Sequence, residues 1–200
     1  MRRNVSMLLI AAASLLAACG GATSELPTAN TPLAATGAST AGGEAAAGDK
    51  DAGPKAPEFE LPTLDGAHVR LSSLRGTVVL IDFWSTICDP CLKEMPELVK
   101  LYRERKDKGF TVLAIATDGP ETVANVSSVA KERHMMFPVL LDTETAVLDR
   151  YNPEGRLPFT EVVDRNGNVV LKRSGYQPGD VESQKQLVEA IDKALLQPLR

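Results

Sequence analysis

The sequence predicts an α/β fold with a mixed central sheet flanked by helices, on three observations. Val78–Trp84 is a near-continuous apolar run, as a strand covered on both faces requires. From there strand-like and helix-like segments alternate, the pattern that builds a parallel sheet. The chain then ends in a hairpin and a helix, which adds antiparallel strands to that sheet.

Taken in order, Phe59-Glu60-Leu61 and Ala67–Leu71 flank Asp65-Gly66 and read as a small N-terminal β-hairpin. After the central strand, Leu92, Met95, Val99 and Tyr102 recur at helical spacing. They predict a helix from Cys91 to near Gly109, kinked at Pro96, whose ring and missing N–H oppose a straight helix. Phe110–Ala116 is the next strand. Pro120-Glu121 opens a helix running to about His134, with Val123, Val126 and Ala130 on its inner face. Val139–Leu141 is a short buried strand and Thr145–Tyr151 a short helix. Thr160–Asp164 and Val169–Ser174 pair about Asn166-Gly167, a strong turn signal. Asp180 caps a last helix that turns Leu187, Val188, Ile191 and Leu195 inward.

Three regions precede or make up this domain. Residues 1–18 carry a basic start, Met1-Arg2-Arg3, and an apolar run, Met7–Ala18, too short to span a bilayer but built like an export signal. They end in Leu16-Ala17-Ala18-Cys19, which resembles the lipobox of bacterial lipoproteins and implies cleavage before Cys19 with a lipid on its thiol. Residues 19–56 are rich in Ala, Gly, Thr and Pro and read as a flexible tether. Residues 57–200 form the folded domain, long enough for one proper core. With 22 basic against 26 acidic residues and no basic stripe, nucleic-acid binding has no support.

Chemistry is concentrated in Cys88-Asp89-Pro90-Cys91, at a strand-to-helix junction. A thiolate at a helix start is stabilised by unpaired N–H groups and the dipole. The second thiol lies one turn along, placed to attack a mixed disulfide. Cys88 is thus the expected nucleophile and Cys91 the resolving thiol. A closed zinc site would need about four ligands, and only Cys19, His68 and His134 remain. An inert bridge over so short a loop would stabilise little. No metal or cofactor is expected.

The ordered set Asp82-Phe83-Trp84, Cys88–Cys91, Lys93-Glu94-Met95-Pro96, Phe137–Asp142, Leu157-Pro158 and Asp164–Gly167 resembles the thioredoxin superfamily. Within it, the chain is similar to the membrane-anchored thiol–disulfide oxidoreductases of the TlpA/ResA type, from Pro57 to the C-terminus. That resemblance implies a thioredoxin-like fold carrying the N-terminal hairpin and an extra helix–strand insertion. It makes Pro158 a cis-proline facing the disulfide, and Asp82 the buried acid that exchanges a proton with Cys91. A carboxylate in an apolar strand should indeed have a raised pKa. Glu94 matches an acid that tunes the thiols. Substrate would meet Trp84, Ile87, Asp89, Pro90, Leu157 and Pro158.

The chain departs from the pattern at Ile87, where a tryptophan is usual, at Phe159, where small hydroxyl residues are, and at Glu161, where an apolar strand residue is common. The negative charge of Asp89 beside the nucleophile tilts the couple towards reduction. The resemblance then implies reduction of disulfides in exported proteins, with apocytochrome c the family's usual setting. A membrane thiol–disulfide electron donor would re-reduce the protein, which is expected to be a lipid-anchored monomer facing the periplasm or exterior. Two other readings are a thiol peroxidase, for which the proline-threonine context around Cys88 is missing, and a copper-delivery protein. The latter would use Cys88, Cys91 and His134; Met135 and Met136 read as core filler.

Overall fold

The computed structural model describes residues 53–199. The signal and lipobox, with Cys19, and most of the expected tether lie outside the described residues. Among the described residues no helix is long and apolar enough to cross a membrane.

The elements follow one another as β1 (Glu60–Pro62), β2 (His68–Arg70), β3 (Val78–Trp84), α1 (Asp89–Arg105), β4 (Phe110–Ala116), α2 (Val123–Glu132), β5 (Val139–Leu141), α3 (Leu148–Tyr151), β6 (Phe159–Val163), β7 (Val169–Ser174) and α4 (Val181–Leu196). β1 and β2 make the expected antiparallel hairpin. The other strands form a mixed five-stranded sheet in the order β5-β4-β3-β6-β7, with β3, β4 and β5 parallel and β6 antiparallel to both neighbours.

Every residue of β3 is buried, and side-chain alternation along it feeds two cores. Val78, Leu80 and Trp84 pack with Met95 and Leu98 of α1, Val126 of α2, and Leu187 and Ile191 of α4. Val79, Ile81 and Phe83 pack on the other side with Phe59, Leu71, Leu148 and Tyr151. Each such side chain contributes roughly 1.5–3 kcal/mol on full burial. Asp82 interrupts the first set and so enters the core beneath α1.

The departures from expectation are local. α2 starts at Val123, because the N–H groups of Thr122 and Val123 both turn back to the Gly119 carbonyl at 3.0 and 2.9 Å. α3 is confined to Leu148–Tyr151, where the Asp142 carboxylate takes the N–H groups of Val147 and Leu148. α1 runs without a break from Asp89 to Arg105, with the exposed Pro96 inside it. At the β6–β7 turn, Asp164 accepts from the N–H groups of Asn166 and Asn168 at 2.9 and 2.8 Å. Gly167 there has φ +84°, and a Cβ would collide with the Arg75 guanidinium. Ordered contacts also extend ahead of residue 57: Val169 N–H donates to the Pro54 carbonyl at 2.8 Å, and Ala56 N–H to that of Gly167 at 3.0 Å.

Candidate active site

β3 ends at Trp84, and the chain loops through Ser85–Ile87 to Cys88, which caps α1. The loop is held from below by Asp118, buried just past the end of β4. Its two carboxylate oxygens accept the Thr86 N–H at 3.2 and 3.0 Å, and one also accepts the Thr86 hydroxyl. Sequence reasoning missed Asp118, because only the parallel β3–β4 pairing brings it beside Thr86. Cys88 and Cys91 are joined as a disulfide with Cα atoms 5.3 Å apart. The Cys91 N–H donates to the Cys88 sulfur at 3.3 Å, as a helix start should. Cys88 is half-buried, whereas Cys91 has no exposed surface.

Two acids lie in the core on the α1 side of the sheet. Asp82 is fully buried, and its carboxylate accepts a hydrogen bond from the Thr160 hydroxyl at 3.2 Å, across the β3–β6 pair. Its other oxygen has no partner among the described residues. Burial, reinforced by the charge of Glu94, pushes its carboxyl well above the usual range. Glu94 lies one turn beyond Cys91 on the inner face of α1 and accepts a hydrogen bond from Arg173 of β7. Burial raises its pKa to about 7 against the opposing pull of Arg173. Neither acid is the hydrated strand-end or surface group that such residues usually are.

Around the disulfide, the Leu157–Pro158 peptide is cis. The antiparallel register sets Phe83 against Phe159, so Pro158 falls beside the end of β3 from which the cysteine loop emerges. Leu157 and Pro90 are half-buried, and Ile87 is 80% exposed next to Cys88. Trp84 requires a correction. It is wholly buried between sheet and helices and offers a substrate no surface; the exposed apolar side chain beside Cys88 is that of Ile87. Asp89 is exposed and paired with Lys93 at 2.6 Å, which offsets its charge beside Cys88.

Glu161 lies within β6, away from solvent. It is buried on the other face of β6, opposite Ile81, and pairs with Lys172 at 2.5 Å. Its pKa is raised by that burial. His134 lies in the turn after α2, with a positive φ of 56°, and is exposed. Met135 packs against the core as expected, whereas Met136 is half exposed; together they line a groove of about 720 Å³ with Leu64 and Phe137. Among the described residues no cluster of three or more His, Cys, Asp or Glu side chains is arranged to hold a metal.

A disulfide at the head of a helix, beside a cis-proline on a thioredoxin-like sheet, defines a class: thiol–disulfide oxidoreductases. The chain belongs to the AhpC/TSA family, whose model matches residues 52–172, and within it to the thiol–disulfide oxidoreductases of the ResA type. It is 38% identical to a thiol-disulfide oxidoreductase ResA of Bacillus cereus over 123 residues, covering 62% of this chain and 69% of that protein. Among solved structures it is similar to a thiol:disulfide interchange protein from a Bacteroides species, at 31% identity and TM-score 0.58, covering 71% of this chain and 88% of the other. A thiol:disulfide interchange protein of the thioredoxin family from Chlorobium tepidum matches at 28% identity and TM-score 0.60, over 74% of this chain and 99% of the other.

Proposed function

We propose that this protein reduces disulfides of exported proteins outside the cytoplasm, with Cys88 as nucleophile and Cys91 as resolving thiol. The observation that carries this reading is the unequal exposure of the two sulfur-bearing residues at the start of α1. In the first step the Cys88 thiolate attacks one sulfur of the substrate disulfide. A bond forms to Cys88, and the other substrate sulfur leaves as a thiolate. Cys91 then attacks the Cys88 sulfur, closing the Cys88–Cys91 bond and releasing the second substrate thiolate. The substrate gains two electrons and the protein loses them.

The proton that Cys91 gives up passes to Asp82. A buried carboxyl with a raised pKa is suited to hold it in the oxidised form and to return it when the disulfide is reopened. Ile87, Pro90 and Leu157 form the rim that meets the substrate chain, Asp89 borders it, and the buried cis-Pro158 adjoins it through Leu157. The lean towards reduction rests on Glu94 rather than on Asp89. The charge of Asp89 is exposed and offset by Lys93, whereas an ionised Glu94 acts through the protein interior and disfavours thiolates there. A destabilised reduced form makes a more reducing couple.

The export signal and Cys19 support a lipid anchor with a tether, residues 19–56, that holds the domain near a membrane electron donor. Apocytochrome c, with its paired cysteines, is the substrate class this setting favours. Cys91→Ala tests the reading in cells: it should accumulate mixed disulfides between Cys88 and exported proteins. Absence of any trapped partner contradicts it.

A further inference from the structure

The β6–β7 hairpin supplies a partner to each of the two buried acids. Thr160 and Arg173 face each other across the β6–β7 pair. Thr160 donates to Asp82, and Arg173 donates to Glu94. Both members of the second pair are shielded from water, with side-chain exposures of 11% for Arg173 and 1% for Glu94. The neighbouring Lys172 points through the other face of the sheet to Glu161, so Arg173 is the hairpin cation on the disulfide side. One oxygen of each acid, Asp82 Oδ2 and Glu94 Oε2, has no hydrogen-bond partner among the described residues, and neither has Arg173 Nε.

We propose that Arg173 is a positioning residue of the redox site: by pairing with Glu94 it fixes which of the two buried carboxyls carries negative charge and which holds the proton exchanged with Cys91. The proposal rests on the proposed function only for the last clause, the exchange with Cys91.

Two adjacent carboxylates in a core cannot both ionise freely, because each charge raises the cost of the other. A guanidinium against one of them breaks the symmetry. Asp82 has a neutral hydroxyl as its hydrogen-bonding partner, and Glu94 has a cation, so the negative charge falls on Glu94 and the proton on Asp82. When the disulfide is opened by attack on Cys88, Cys91 leaves as a thiolate and takes the Asp82 proton. Asp82 then becomes an anion beside anionic Glu94, which makes it a strong base for the return step. The groups facing Glu94 are Asp82 from β3, Arg173 from β7, Glu97 from its own helix and Tyr176 just past β7. The Tyr176 hydroxyl donates to Glu97 at 2.7 Å. Arg173 is the only cation among them, and its effect on Glu94 opposes that of burial.

The test is a pH titration of the Glu94 carboxyl carbon by NMR in the oxidised full chain, alongside the pH profile of its reduction by dithiothreitol. Replacing Arg173 by Gln should raise the Glu94 midpoint by about one pH unit or more, the usual reach of an adjacent opposite charge. The reduction profile should move the same way, and Arg173→Lys should restore most of both. If Gln at this position does not fold, Arg173→Met, which keeps the apolar stem, carries the same expectation. The unmutated chain gives an independent check: the Arg173 guanidinium nitrogens should titrate with the Glu94 midpoint. An unmoved midpoint in the neutral variants, or separate midpoints in the unmutated chain, overturns the proposal. A carboxyl midpoint that moves while the reduction profile stays fixed overturns the link to Cys91 and leaves the Arg173–Glu94 pairing standing. None of these readouts depends on the protein substrate, so failure here is distinguishable from failure of the reductase reading.

Discussion

At the scale of single residues, the site trades stability for chemistry. Asp82 and Glu94 both have raised pKa values in the folded chain, so their protons are bound more tightly folded than unfolded. Their protonated forms therefore favour folding, most fully below the ordinary carboxylate range. That stability is lost as pH rises, for Glu94 between 4.5 and about 7. Asp82→Asn should accordingly be more stable than the unmutated chain at pH 8 in urea unfolding, with the gap closing towards pH 4. The same substitution should slow resolution of the mixed disulfide about 100-fold or more, the usual contribution of a positioned acid–base group. Equal stability at both pH values contradicts the burial argument for Asp82. Cys88, Cys91 and Asp82 were legible in the sequence because their residue types are out of place: thiols spaced for exchange, and an acid in an apolar run. Trp84 and Glu161 were misjudged or left open for one reason. A strand's sequence shows that side chains alternate, but not which face a helix will seal or which cation will arrive from the next strand.

The elements were legible wherever one period dominated. β3, β4 and β7 match their predicted spans end to end, and α4 begins where Asp180 caps it, its carboxylate taking the Ser183 N–H at 3.0 Å. Asp180→Ala should cost about 1 kcal/mol in chemical unfolding, and a loss near zero would show that the cap is idle. α2 and α3 were predicted too long because Gly119 and Asp142 redirect the first N–H groups into turns. That depends on how the chain leaves the sheet rather than on periodicity. The loop before Cys88 depends in the same way on β4. Asp118→Ala removes three hydrogen-bond contacts from Thr86 and should cost roughly 2 kcal/mol. It should also broaden the amide signals of residues 85–88, and sharp unshifted signals would mean that Asp118 is not the anchor.

For the whole molecule, the mixed sheet brings together a parallel half that presents the cysteines and an antiparallel half that supplies Pro158, Thr160 and Arg173. The order of these parts along the chain was readable; their convergence came only with the strand order. The proposed reductive direction is a claim about the couple as a whole. A redox titration is expected to fall far below the potential of a strongly oxidising couple, about −120 mV, and a value near it would reverse the direction. Anchoring through Cys19 predicts accumulation of unprocessed precursor under globomycin; normal processing would contradict the lipid anchor. The central claim, dithiol exchange initiated at Cys88, is tested most directly by insulin-disulfide reduction under dithiothreitol. The unmutated chain should accelerate it and Cys88→Ser should leave only the uncatalysed rate, whereas full activity in Cys88→Ser would contradict the account.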